Sequence, residues 1–411
     1  MSQQWLGDTE RRWRELHGES NWDGLLDPFD LDLRRTVIRY GEMAQATYDA
    51  FNREKLSPHA GLSMFGMLRF FERAHLPDHA AAYRVTKFLY ATSCLAVPEP
   101  FILRSVSRRR RCRESNWIGY VAVATDEGKA ALGRRDIVVA WRGTLQALEW
   151  IKDMEFAMVP PKGLFGDEAS EAMVHRGWLS MYTSSDSESS HNKDSARDQV
   201  LSEVARLVSM YKDEELSITV TGHSLGAALA TLNAFDIVAN GYNRAPRAAA
   251  AAAATGCPVT AIVFASPRVG GHGFKSRFDG ARVLGLRLLR VRNARDVVPR
   301  YPTEPPYHGV GTVLAIDTGE SPYLRRPGNE LVWHNLECYL HGVAGVRGGE
   351  AGRFKLAVER DVALANKTYG ALRDEHAVPA GWWIPSNRGM ARGADGRWTL
   401  MDCEEDDDSA E

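Results

Sequence analysis

Apolar positions recur at two different spacings along this chain. From Leu33 to Asn52, "LRRTVIRYGEMAQATYDAFN" brings Val37, Tyr40, Gly41, Ala44, Thr47, Tyr48 and Phe51 to one side at helical spacing. "SARDQVLSEVARLVSMYKDEE" repeats this with Val200, Val204, Leu207, Val208 and Tyr211. Between such segments lie short apolar, β-branched runs that predict strands: "WIGYVAVATD", "DIVVAWRGT", "LSITVTGHS", "PVTAIVFASP" and "LRLLRVRNARD". Helical patterns follow several of them, including "LGAALATLNAFDIVAN", a turn at Gly273 to Phe278, and "LVWHNLECYLHGVAG". Alternation of this kind predicts an α/β protein with a mostly parallel sheet covered by helices on both faces. Residues 1–113 read as a mostly helical N-terminal region, 114–385 as the α/β core, and 386–411 as an acidic, disordered tail. No internal repeat is visible.

Composition narrows the class. Of 411 residues, 44% are hydrophobic and 25% charged, and the formal net charge is -2, as in an ordinary globular enzyme and unlike a basic nucleic-acid binder. No stretch has the roughly 20 apolar residues a membrane span needs. Cys94, Cys112, Cys257, Cys338 and Cys403 are scattered and odd in number, which fits a reducing compartment. The charged first segment has no apolar core of a secretory signal, so the expected location is cytoplasmic. Three biased segments interrupt the pattern. The Arg-rich run 108–113, within "SVSRRRRCRES", reads as a solvated loop or a contact for anionic headgroups. The Ser-rich "TSSDSESSHNKDS" (183–195) reads as a mobile polar loop, and the alanine run 248–254 as an expanded surface loop.

The chemistry centres on Gly222-His223-Ser224-Leu225-Gly226, which fits G-x-S-x-G. A strand turning sharply into a helix exposes the serine hydroxyl, and the turn is tight enough to require glycine on both sides. The preceding "SITV" and the small residues Ala227, Ala228 and Ala230 supply that context. The alternative reading is an ordinary helix-capping serine. A nucleophilic serine needs a base, and the base an acid, in the chain order Ser, Asp or Glu, His. Asp296 follows a strong strand run, as Asp279 and Asp317 do not. The histidines after Ser224 are His272, His308, His334, His341 and His376; His272 comes in the wrong order, and His334 and His341 lie in one helical stretch. Those two fall on nearly the same face of that predicted helix, so the pattern leaves both open. His334, Cys338 and His341 also admit a metal-cluster reading, with too few ligands for zinc. For the oxyanion hole, the Leu225 N–H is one donor and Thr144, after Gly143 at a strand end, the other. No cofactor or metal is called for: the sequence has no EF-hand or HExxH pattern.

With these residues in view, the chain resembles the class 3 lipases, and more closely the plant phospholipase A1 group of the cytosolic class II type. The matching pieces include "AWRGTLQALEWIKDMEF", "VHRGW", "TGHSLGAALATLNAFDI", "FASPRVG", "RVRNARDVVP" and "WHNLECYLHGVAG". The resemblance implies an α/β-hydrolase fold and a Ser224, Asp296, His341 triad with Thr144 at the oxyanion hole, preferring His341 over His334. It also implies a lid at about Glu155 to Ala172, with Met158, Val159, Leu164 and Phe165 as its apolar face. The implied activity is hydrolysis of the sn-1 acyl ester of a phosphatidylcholine-like glycerolipid at a membrane or micelle surface. A non-catalytic lipase-like signalling protein, or a hydrolase of galactolipid, monoacylglycerol or triacylglycerol, is the alternative.

Overall fold

A computed structural model describes residues 1–54, 56–92, 116–144, 156–165, 171–245, 256–347 and 354–383, with the short pieces 390–392, 398–400 and 404. The Arg-rich and alanine runs lie outside the described residues. Eleven strands matter for the site. They are β1 (Tyr83–Ala91), β2 (Asn116–Ala124), β3 (Arg135–Trp141), β4 (Met158–Val159), β5 (Val174–His175), β6 (Leu216–His223), β7 (Val259–Phe264), β8 (Gly270–Gly271), β9 (Leu286–Asn293), β10 (Tyr307–His308) and β11 (Thr312–Ile316). Seven form the central sheet, in the order β1-β2-β3-β6-β7-β9-β11. From β3 to β11 all neighbours are parallel, and β1-β2 and β2-β3 are antiparallel. This is the α/β-hydrolase arrangement expected from the sequence. It contains two strands the periodicity does not predict, β1 within the supposedly helical N-terminal region and β11 after the acid-bearing loop.

The helices used below are α1 (Thr9–Leu16), α2 (Leu31–Asp49), α3 (Arg176–Thr183), α4 (Ala196–Met210), α5 (Leu225–Ala239), α6 (Glu330–Trp333) and α7 (Leu336–Ala344). Side chains alternate along a strand, so each central strand feeds both faces of the sheet. Ile137, Val139 and Trp141 of β3 pack with Trp178 of α3, Val200, Val204 and Leu207 of α4 and Leu229 of α5. Val138 and Ala140 of the same strand pack on the opposite face, with Leu33, Val37 and Met43 of α2 and Tyr339, Leu340 and Val343 of α7. The N-terminal helices therefore supply part of the hydrophobic cover of one face of the sheet. A carboxylate pins them down: buried Asp136 at the start of β3 accepts hydrogen bonds from Tyr40 of α2, Tyr83, Ser217 and Thr219, at 2.7 to 2.9 Å.

The structure bears on three of the expected segments. Leu164 and Phe165 do not present an apolar lid face; they are buried in the core, Phe165 stacked on Phe235 with ring centroids 4.4 Å apart. Met158 and Val159 form β4 and pair with β5. Aromatic area gains more from the α5 surface than from solvent, so the sequence's apolar run is core here. Glu155 and residues 166–170 lie outside the described residues. The Ser-rich segment is tied down by its own polar groups: buried Asn192 donates to the Asp194 carbonyl at 2.7 Å, and the Asp186 N–H donates to the Asn192 carbonyl at 2.9 Å. Within 386–411, Met390–Arg392 pairs with Trp398–Leu400, and Glu404 ion-pairs Arg73 at 2.5 Å. Among the described residues, no helix is long and apolar enough to cross a membrane.

Candidate active site

The site is built at the carboxyl edge of the parallel strands, where loops leave β3, β6 and β9. β6 ends at His223 and α5 begins at Leu225, so the chain reverses at Ser224 alone. Ser224 has φ 59° and ψ -123°, a conformation a non-glycine residue adopts only under constraint. The constraint is close packing. A Cβ on Gly222 would overlap the Gly226 carbonyl oxygen, and one on Gly226 would overlap the Trp141 carbonyl oxygen of β3. The Ser224 N–H donates to the Phe264 carbonyl at 2.9 Å, fixing the turn to β7. Its hydroxyl is buried and has no hydrogen-bond partner among the described residues. Leu225 opens α5, where first-turn N–H groups have no partner within the helix.

Asp296 lies just beyond β9 and is buried. Its Oδ1 accepts from the Val298 N–H at 2.9 Å. Its Oδ2 accepts from the Tyr339 hydroxyl at 2.6 Å and meets His334 Nδ1 at 2.7 Å. Burial and the Asp296 charge push the Tyr339 phenol well above its ordinary range, so it stays a donor. A carboxylate on Nδ1 holds that nitrogen protonated and leaves the lone pair on Nε2. His334 Nε2 is buried and has no partner among the described residues.

The expected His341 is therefore corrected. The stretch "LVWHNLECYLHGVAG" is not one helix. α6 ends with His334 as its C-cap, and α7 starts from Asn335, which is extended at φ -68° and ψ 124°. The Asn335 side chain accepts the Glu337 N–H at 3.0 Å, the ordinary N-cap bond. Breaking the helix between the histidines sends them to different places. His341 Nε2 hydrogen-bonds Ser321 Oγ at 2.7 Å, and its ring stacks on Phe354. Burial, with Arg360 and His376 nearby, lowers its pKa to about 4. The metal reading of His334, Cys338 and His341 fails for the same reason.

Sequence reasoning missed two supporting residues, Tyr339 and Tyr48, and gave His223 no role beyond its place in the elbow. Tyr339 sits one turn into α7 and reaches Asp296. His223, the variable residue of the elbow, hydrogen-bonds the His334 carbonyl through Nε2 at 2.8 Å, and its ring lies 4.7 Å from that of His334. Tyr48 near the end of α2 hydrogen-bonds His223 Nδ1 at 2.8 Å. Burial raises the Tyr48 phenol, so its hydroxyl donates to Nδ1 and His223 Nε2–H donates to His334. Burial and the neighbouring His334 push His223 well below its ordinary pKa, and it stays neutral. The only signal for Tyr48 in the sequence is its place on the buried face of the first long helix.

Thr144 follows Gly143 at the end of β3, where a Cβ on Gly143 would overlap the Tyr48 hydroxyl and the His223 carbonyl. Arg142 braces the turn from beneath: it donates to the Trp117 and Gly143 carbonyls and lies over the Phe51 ring. The buried Thr144 hydroxyl is the third polar atom here without a partner among the described residues. Thr144, His223 and His334 line one cleft, with Gln45, Tyr48, Arg53, Leu331, Asn335, Leu336, Thr368 and Tyr369.

Known proteins are similar to this chain along most of its length. Residues 138–305 match the family model described as Lipase (class 3). Phospholipase A1-II 6 of Oryza sativa subsp. japonica is 90% identical over 411 residues, all of both chains. Phospholipase A1-II 7 of Oryza sativa subsp. indica is 58% identical, over 97% of this chain and 98% of that one. Phospholipase A1-IIgamma of Arabidopsis thaliana is 52% identical, over 97% and 94%. Among solved structures, the nonglycosylated LIP2 lipase of Yarrowia lipolytica aligns at 18% identity with a TM-score of 0.46, over 70% of this chain and 81% of that one. This chain belongs to the class 3 lipase family.

Proposed function

We propose that this protein is a serine acylhydrolase that cleaves the sn-1 fatty acyl ester of phosphatidylcholine-like phospholipids. The observation that carries the reading is the buried Asp296–His334 pair, its imidazole 4.7 Å from the ring of His223, next in sequence to a strained serine, with Ser224 Oγ and His334 Nε2 both buried and unpartnered among the described residues. Unsatisfied buried polar atoms are costly, and they concentrate where a substrate completes the bonding.

In the proposed reaction, His334 Nε2 takes the Ser224 hydroxyl proton as Oγ bonds to the ester carbonyl carbon. The carbonyl oxygen becomes an oxyanion, held by the Leu225 N–H and by Thr144. Asp296 stabilises the imidazolium without taking its proton. Collapse breaks the ester C–O bond, and the leaving lysophospholipid alkoxide takes the proton from His334. Water then gives a proton to His334 as its oxygen bonds to the acyl carbon, and collapse breaks the bond to Ser224 Oγ, which takes that proton back as the fatty acid leaves. The phospholipid preference draws on the names of the relatives, all called phospholipase A1. A cytoplasmic site of action is supported by Cys257 and Cys338, both free thiols. The substrate is met at a lipid surface.

Ser224→Ala tests the reading, with phosphatidylcholine bearing different chains at sn-1 and sn-2 and the products resolved by mass spectrometry. The wild type should release the sn-1 chain, and the variant should release fatty acid at least a thousandfold more slowly. Release at the wild-type rate by Ser224→Ala, or no release by the wild type, overturns it; in the latter case the chain is a lipase-like binding protein.

A further inference from the structure

Arg142 carries a charge that no step of the reaction above uses. It follows β3 directly and is 1% exposed. Its Nε donates to the Trp117 carbonyl at 3.0 Å, its Nη1 donates to the Gly143 carbonyl at 2.9 Å, and its guanidinium lies 3.7 Å from the centre of the Phe51 ring. Among the described residues no carboxylate pairs with it, and burial, with the like charge of Arg53 nearby, lowers its pKa to about 10. A buried cation held only by carbonyls and a ring is costly to keep. What lies beyond those carbonyls is therefore informative.

The Gly143 carbonyl and the Thr144 N–H are the two ends of one peptide group. That peptide is trans, since the cis bonds of this chain all precede proline among the described residues. In a trans peptide the C=O and N–H point in opposite directions. With Arg142 on the carbonyl, the Thr144 N–H is aimed away from the guanidinium, and it has no partner among the described residues. Thr144 in turn lines the cleft with His223 and His334. A cation on the carbonyl oxygen draws electron density out of the amide, so the N–H at the other end becomes the stronger donor.

We propose that Arg142 is a positioning residue for the oxyanion hole, which aims and polarises the Thr144 N–H through the Gly143–Thr144 peptide and meets its counter-charge only when the ester carbonyl oxygen becomes an oxyanion. The ground-state carbonyl is neutral, so the charge does little for substrate binding and acts on kcat rather than KM. This rests on the acylhydrolase reading above.

The test separates charge from bracing. Arg142→Gln keeps a hydrogen-bond donor and loses the charge; Arg142→Lys keeps the charge and loses the two-pronged grip. On phosphatidylcholine in mixed micelles, Arg142→Gln should lower kcat about tenfold to a hundredfold with KM changed less than about threefold, and Arg142→Lys should recover part of the loss. Octylboronic acid, which forms a tetrahedral anion on a serine hydroxyl, should bind Arg142→Gln more weakly by about the factor lost from kcat. A non-hydrolysable diether phosphatidylcholine should bind both proteins alike. A kcat within about twofold of wild type in Arg142→Gln, equal losses in the Gln and Lys variants, or unchanged octylboronic acid binding overturns the role. Should Arg142→Gln fail to fold, Arg142→Lys decides: parallel losses of kcat and octylboronic acid affinity support the role, and a lower Tm with kcat and affinity unchanged overturns it. If the wild type neither hydrolyses the ester nor binds octylboronic acid, the acylhydrolase reading falls. If it does both and Arg142→Gln matches it, only the role of Arg142 falls.

Discussion

Two histidines in one short stretch separate what a side chain is from what it does. His334 touches Asp296, and His341 touches Ser321. His334→Ala should abolish both lipid hydrolysis and labelling of Ser224 by a fluorophosphonate probe. His341→Ala should retain labelling and most of kcat, and should lose about 1–3 kcal/mol of stability because a buried hydroxyl loses its partner. Gel-based labelling, read alongside thermal unfolding, checks both, and the reverse pattern would sink the His334 assignment. At this scale the sequence was most informative where chemistry and backbone geometry coincide. Gly222, Ser224 and Gly226 could be read because close packing at the elbow forbids a Cβ on either glycine. Asp296 could be read because it follows a strand. His334 could not be separated from His341 while both were placed on one continuous helix, and the family resemblance then favoured the wrong one.

The element that decides between them is the break at Asn335. A signal for it was present: an asparagine directly before the apolar run Leu336-Glu337-Cys338-Tyr339-Leu340 is a helix-start pattern. Asn335→Ala should cost about 1 kcal/mol of stability. It should also lower kcat, since the cap holds the turn from which His334 reaches Asp296. Asn335→Asp, which can keep the cap, should lie between the two. Chemical denaturation and steady-state kinetics on the three proteins check this, and an Asn335→Ala enzyme with unchanged kcat would show that the break does not position the base. β1 was hidden for a different reason. It is an edge strand, paired on one side only, and Arg84 and Lys87 interrupt its apolar pattern. Leu164 and Phe165 were misread because an apolar run in a predicted loop looks the same whether it faces solvent or the core.

Across the whole molecule, burial keeps five histidines neutral. His17, His79, His175, His223 and His341 are all shifted below their ordinary pKa chiefly by desolvation, His175 and His341 to about 4. The unfolded chain binds protons at these sites as pH falls through 6.5, and the folded protein binds them only at lower pH, near 4 for His175 and His341. Their contribution is complete above pH 6.5 and is lost as pH falls through this window. Urea unfolding at a series of pH values should show stability falling from neutral pH toward 4.5, and His341→Gln should make the slope shallower. A flat profile would contradict neutral burial. At this scale the parallel sheet was legible from alternating patterns, but the packing of the first 50 or so residues against one face of it was not. Contacts between α2 and α7 join segments far apart in sequence, and periodicity carries no information about such pairs.

The hydroxyl of Tyr48 has a consequence in time as well as in space. It lies on an early helix, yet through His223 it supports the backbone of His334, which is made much later. The family match at 138–305 contains Ser224 and Asp296 but neither Tyr48 nor His334. On the proposed mechanism, a chain still emerging from the ribosome therefore carries its nucleophile and acid with no base to activate them. The ability to cut lipid arrives only once the last third of the chain has been made and folded back onto the first.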